Sequence, residues 1–232
     1  MKTDRIHRWD VNYQEAVALQ EELREGLILT EDSLREPPRW VAGADISYER
    51  GSDLFHAAVI LLRYADLTPI EEATVSARVF FPYIPGLLTF REGPPLLAAF
   101  ERLHRRPDLV LFDGQGIAHP RGFGLAAHLG LLLDLPAIGC AKSLLVGSHG
   151  DVGEKRGSWT ELLYRTRRVG AAVRTRDHVR PVYVSQGHRI TLERAVALVL
   201  GCCRGYRIPE PVRLAHLAVN RLRLEGRCGN GP

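Results

Sequence analysis

The sequence predicts an α/β fold, a mixed β-sheet with helices on both faces. Three β-rich runs follow one another across short turns, at residues 40–47, 55–64 and 70–81. That succession is expected of an antiparallel meander. Helical and short apolar segments then alternate, at 94–104, 109–112, 125–133 and 137–141. Runs of four or five apolar residues bounded by turn signals read as buried strands. Two further helical stretches, 191–201 and 212–225, close the chain.

Before the meander, residues 12–27 place Ala16, Val17, Leu19, Leu23 and Leu27 among Gln, Glu and Arg. This is an amphipathic helix for which Asp10 is the expected cap. Residues 30–38 read as a linker. Residues 82–93, rich in Pro and Gly, read as a loop, with a helix starting near Pro94, where proline is tolerated. The polar stretch 147–168 reads as a surface excursion. Short strands are expected at 170–174 and 182–185. Pro209 and Pro211 mark the start of the last helix and Gly226 its end. Meander, helix, strand, helix, strand, then more helix is the order of the ribonuclease-H-like fold. In that fold the first strand and the strand after the first helix are neighbours.

The 232 residues, 45% hydrophobic and 25% charged, suit one domain with a sizeable core. Its expected parts are an N-terminal helix and linker (1–39), a core of residues 40–222, and a loose tail at 226–232. No apolar run reaches membrane-spanning length, and the N-terminus lacks the apolar segment of a signal peptide. The expected location is the cytoplasm. The four cysteines form no CxxC motif, so reduced thiols are expected rather than structural zinc. The net charge of +4 permits a nucleic-acid partner without demanding one. Arginine supplies nearly all the positive charge; only Lys2, Lys142 and Lys155 are lysines.

The most informative stretch is Asp113-Gly-Gln-Gly-Ile-Ala-His-Pro120, directly after the buried run 109–112. An acid at the carboxyl end of a buried strand is where α/β folds place chemistry. On the expected neighbouring strand stands Asp45. Two carboxylates held together repel, and a divalent ion with hard oxygen ligands, magnesium or manganese, offsets that cost. Glu92 adds a third acid just ahead of the expected helix, and His216 is a candidate fourth member. Metal-held carboxylates with a nearby cation suit phosphodiester hydrolysis. Lys142, just after the run 137–141, is a candidate donor to the phosphate or to the leaving oxygen. Taken singly, each acid is more often a solvated surface group; the group carries the inference. In the loop Pro82-Tyr83-Ile84-Pro85-Gly86, prolines stiffen a backbone bearing an aromatic side chain. Such a loop suits a wedge between bases, and equally a tyrosine packed into the core.

These segments together resemble the endonuclease V family. The resemblance rests on Val41-Ala-Gly-Ala-Asp45-Ile-Ser-Tyr48, Pro82-Tyr-Ile-Pro-Gly-Leu-Leu-Thr-Phe-Arg-Glu92 and Asp113-Gly-Gln-Gly-Ile-Ala-His-Pro-Arg121. Gly139-Cys-Ala-Lys-Ser143, Tyr183-Val-Ser-Gln-Gly-His188 and the run from Tyr206-Arg-Ile-Pro-Glu-Pro211 to His216 follow in family order. The resemblance implies metal-dependent cleavage of the second phosphodiester on the 3′ side of deoxyinosine, leaving 3′-hydroxyl and 5′-phosphate. It implies Mg²⁺, with Mn²⁺ able to substitute. Asp45, Glu92 and Asp113 match the family's catalytic acids, His216 its metal-side group and Lys142 its lysine near the scissile phosphate. Tyr83 matches the wedge, completed by Pro82, Ile84 and Pro85. Backbone groups of Gly86, Leu88, Gly114, Gly116, Gly124 and Leu125, with His119 beside them, would form the pocket for the flipped base. The family often carries a second arginine after Arg121, where this chain has Gly122. The implied partner is DNA containing deoxyinosine, bound by a monomer without a membrane. An endoribonuclease acting on inosine in RNA is the alternative, ahead of a non-catalytic binder of damaged nucleic acid.

Overall fold

The computed structural model describes residues 7–30, 34 and 36–228. Among them, β1 (Trp40–Tyr48), β2 (Leu54–Arg63) and β3 (Pro69–Arg78) form the expected meander. β4 (Leu109–Phe112), β5 (Ala137–Ala141), β6 (Ser148–His149), β7 (Trp159–Tyr164), β8 (Arg167–Val173) and β9 (Val182–His188) complete a single sheet. Its order is β3-β2-β1-β4-β5-β9-β8-β7-β6. β1, β4 and β5 run parallel and the other pairs antiparallel, the mixed ribonuclease-H-like arrangement. The helices are α1 (Tyr13–Arg24), α2 (Leu88–Glu101), α3 (Leu125–Leu133), α4 (Leu192–Gly201) and α5 (Glu210–Cys228). No helix among the described residues is long and apolar enough to cross a membrane.

Alternation along the central strands sorts their side chains into two cores. Val41, Leu109 and Leu111 face Val196, Val199, Val212 and Val219 of α4 and α5. Ala42, Ala44, Val110 and Phe112 face Leu96, Phe100, Leu125 and Leu129 of α2 and α3. β4 and β5 are therefore buried on both faces, which explains their unbroken apolar sequences. Gly43 sets the approach of α5, because a Cβ there would stand 2.0 Å from the Pro211 carbonyl carbon and oxygen. The start of α5 thus lies directly on β1.

Four local expectations need correction. The cap of α1 is Asn12, not Asp10: its side chain accepts from the Glu15 amide while Glu15 Oε2 accepts from the Asn12 amide, a reciprocal capping box. α2 begins at Leu88 rather than near Pro94. Leu87 and Phe90 bury there against Ala16 of α1, and that packing holds a helix with Pro94 and Pro95 in its interior. The 147–168 stretch contains two strands that extend the sheet; burial alternates along β7, but its exposed face carries Trp159 and Leu163, so the sequence shows no apolar-polar alternation. α5 continues past Gly226 to Cys228. Of the expected tail, residues 229–232 lie outside the described residues, as do 31–33 and 35 of the linker. Cys140, Cys202 and Cys203 are free and buried.

Candidate active site

The parallel pairing of β1 with β4 sets Ala44 opposite Phe112, and the Asp113 amide donates to the Ala44 carbonyl at 3.2 Å. Asp45 follows Ala44 within β1 and Asp113 directly follows the last residue of β4, so the register brings the two carboxylates to one place. α5 supplies the third member, because its seat on Gly43 brings His216 over the end of β1. His216 Nδ1 lies 2.7 Å from Asp45 Oδ2. The Ile46 amide donates to the other oxygen, Asp45 Oδ1, at 2.8 Å. Asp45, Asp113 and His216 each offer a ligand atom within 4.8 Å of the others.

Burial is the largest influence on Asp45 and the charge of Asp113 the next; together they raise its pKa to about 6 against the pull of His216, the Ile46 amide and Lys142. Glu92, in the second turn of α2, stands outside the trio but within its field. Burial and then Asp45 and Asp113 raise it to about 8. Lys142 Nζ forms an ion pair with Asp113 Oδ2. Asp45, Asp113, Lys142 and His216 are thus assembled, and Glu92 is coupled to them electrostatically.

Several supporting groups were not identified from the sequence. Asn220 Nδ2 lies 3.0 Å from His216 Nε2 and Ser47 Oγ donates to Asn220 Oδ1 at 3.2 Å, which fixes the imidazole. The i, i+4 spacing of His216 and Asn220 on a helix was an available signal. Gln115 ties the Asp113 loop to the Lys142 loop, since its Nε2 donates to the Ser143 carbonyl at 3.1 Å. Arg207 Nη2 donates to the Lys142 carbonyl at 2.6 Å and the Pro181 carbonyl at 2.9 Å, bracing the lysine from behind. Nothing in the local sequence announces these last two contacts.

The wedge loop projects from the surface. Tyr83 is 64% exposed and is not a core side chain. Pro82 and Pro85 are exposed, whereas Ile84 packs beside Leu87 and Phe90. Arg91 Nη1 donates to the Phe81 carbonyl at 3.1 Å and its guanidinium lies over Phe55, which anchors the base of the loop. Gly86 follows in a left-handed conformation, φ 79°. α2 and α3 then begin at Leu88 and Leu125, with Leu87 and Gly124 as caps that provide no side-chain hydrogen bond. α1 and α4, by contrast, carry side-chain caps. Gly124 donates to the Gly116 carbonyl at 2.9 Å, and Gly114 packs against Leu125. His119 is buried, and burial followed by Arg121 lowers its pKa to about 4. Its Nδ1 accepts from the Arg121 amide at 3.3 Å, so the neutral ring carries its proton on Nε2.

Two carboxylates and an imidazole form a donor set suited to a divalent metal ion, whose charge relieves the repulsion that raises Asp45. An α/β sheet with such a set and a lysine at its strand ends has the equipment of a metal-dependent phosphodiesterase. The Endonuclease V family model matches residues 21–217. Endonuclease V of Gloeobacter violaceus is 52% identical over 221 residues, 94% of this chain and 89% of that one. The crystal structure of endonuclease V from Streptomyces avermitilis superposes with a TM-score of 0.89 at 44% identity, covering 94% and 96% of the two chains. Ciona intestinalis endonuclease V, solved with a 24mer DNA containing an inosine followed by a ribo-adenosine, superposes with a TM-score of 0.80 at 27% identity, covering 91% and 98%. The chain belongs to the endonuclease V family and is a nuclease.

Proposed function

We propose that this chain is a DNA repair endonuclease that recognises deoxyinosine and hydrolyses the second phosphodiester on its 3′ side. The observation that carries the reading is the register-enforced pairing of Asp45 with Asp113, with His216 on one and Lys142 on the other. Asp45, Asp113 and His216 would hold Mg²⁺ or Mn²⁺, with Glu92 beside them. When bound, the ion supplies positive charge that neutralises the carboxylates and polarises the phosphodiester. Water adds to phosphorus and the P–O3′ bond breaks. Lys142 Nζ would protonate the departing O3′, leaving 3′-hydroxyl and 5′-phosphate. The proton given up by the attacking water would return the lysine to its charged form through solvent. Glu92, held protonated near neutral pH in the free site, gives up that proton as positive charge enters.

Base recognition falls to the region between the starts of α2 and α3. Hypoxanthine carries a carbonyl where adenine carries an amine. In a pocket formed by backbone groups of Gly86, Leu88, Gly114, Gly116, Gly124 and Leu125, amides that donate to that carbonyl would leave an amine unpaired. The amides of Gly114, Gly116 and Gly124 already donate to the Phe112 carbonyl, Ser185 Oγ and the Gly116 carbonyl, which leaves those of Gly86, Leu88 and Leu125 for the base. The Leu88 and Leu125 amides at the two helix starts without side-chain caps are donors of this kind, while the His119 ring hydrogen-bonds the Gly86 backbone beside them. Tyr83, with Pro82, Ile84 and Pro85, fills the gap left by the flipped base.

Cleavage-site mapping tests the reading, using single-inosine DNA and RNA strands with Mg²⁺, with and without chelator. The expected product is a chelator-sensitive cut at the second phosphodiester 3′ to inosine in DNA. Cleavage of the RNA strand alone would reassign the substrate. Binding without a cut on either strand would overturn the enzymatic role.

A further inference from the structure

We infer that Gln20 of α1 is a specificity-positioning residue, a clamp that fixes the spacing between the starts of α2 and α3. The inference rests on the reading of that region as the base pocket. Gln20 has no solvent exposure, although glutamine is seldom fully buried. Its carboxamide is fully used. Nε2 donates to the Gly86 carbonyl at 3.1 Å and to the Phe123 carbonyl at 3.2 Å, and Oε1 accepts from Arg121 Nε at 2.6 Å. Gly86 and Phe123 occupy equivalent positions, each directly before the cap residue of its helix, Leu87 for α2 and Gly124 for α3. One NH₂ group therefore bridges the two segments whose amides would read the base.

Arg121 closes the arrangement. Its Nη2 donates to the same Gly86 carbonyl at 2.6 Å, and its own backbone amide fixes the His119 ring. Arg121 is thus committed to the protein rather than free for a phosphate. Gly86 is left-handed, and its backbone is held by three side chains, Gln20, Arg121 and the His119 ring, of which Gln20 alone also reaches the start of α3. A base-reading donor misplaced by a fraction of an ångström loses its angular preference. Gln20 touches neither the carboxylates nor Lys142, so its effect falls on recognition rather than on bond cleavage.

The alternative role is simple anchoring of α1, which apolar contacts of Val17 and Leu19 also provide. Gln20→Met keeps the length and removes the hydrogen bonds. Gln20→Glu keeps the acceptor for Arg121 and removes both donors. Val17→Ala weakens docking of α1 without touching the clamp. Each is assayed with Mg²⁺ on single-inosine and matched adenine DNA strands, and by amide hydrogen exchange of the substrate-free protein. Both Gln20 variants should lower the inosine-to-adenine ratio of kcat/KM about tenfold or more, mainly through KM. They should also speed exchange in residues 86–90 and 123–127. Val17→Ala should change neither. An unchanged ratio and unchanged exchange in Gln20→Met, or equal effects from Val17→Ala, would overturn the clamp. A wild-type ratio near one would overturn the deoxyinosine reading instead, and exchange would then decide the clamp.

Discussion

Each member of the trio is held by a neighbour of its own. Asp45 is held by register and by the Ile46 amide, Asp113 by register and by Lys142, and His216 by Asn220. Replacing Asn220 by Ala leaves His216 Nε2 without that partner and frees the ring to turn. Metal affinity should fall about tenfold, read from the Mg²⁺ and Mn²⁺ dependence of cleavage, while the thermal midpoint changes little. Lys142→Ala should lower kcat about a hundredfold with metal affinity nearly unchanged. His119 gives a pH signature. Its pKa is about 4 folded against 6.5 for the unreacted side chain, so between those values the unfolded chain binds the extra proton. Its contribution to stability is complete above pH 6.5 and is lost progressively as pH falls toward 4, by about 3 kcal/mol in all. Urea midpoints for His119→Gln at pH 7 and pH 4.5 should differ less than those of the wild type.

At the scale of elements, strands buried on both faces were legible because their composition is uniform. β4, β5 and α3 have the boundaries that residue pattern alone suggests. The neighbouring placement of Asp45 and Asp113 followed from element order. The start of α2 was obscured because Pro94 and Pro95 imitate a helix beginning, and Glu92 was assigned to a loop in consequence. β6 is hidden because two residues are too few to show a period, and β7 because apolar Trp159 and Leu163 lie on its exposed face and mask the alternation. Gln20, Gln115 and Arg207 act through contacts distant in sequence, which residue pattern cannot reveal. The close seat of α5 on β1 can be tested directly. Gly43→Ala places a methyl group against the Pro211 carbonyl and should destabilise the protein by about 1–3 kcal/mol. Because α5 carries His216, metal affinity should fall with stability in calorimetric titration.

For the molecule as a whole, the trio ties stability to metal. Folding buries the carboxylates and brings like charges together, and both effects raise Asp45 and Glu92, burial the more. An ion that binds only the folded chain should raise the thermal midpoint, by about 2.7 kcal/mol of stabilisation at a hundred times its dissociation constant. Asp113→Asn should abolish most of that increase and make the chelated protein at least as stable as the wild type in chelator. A larger metal-dependent shift in Asp113→Asn than in the wild type would count against the trio as ligands.

The order of the sheet also governs how chains meet one another. A nine-stranded sheet has two open margins, and an open margin invites another chain to pair with it. On one side β3 starts with Pro69, which has no amide hydrogen, and carries Glu71, Glu72 and Arg78. On the other side β6 is two residues long, too short to template a strand. The same layout that gathers the carboxylates at the centre therefore leaves margins that discourage edge-to-edge growth into aggregates.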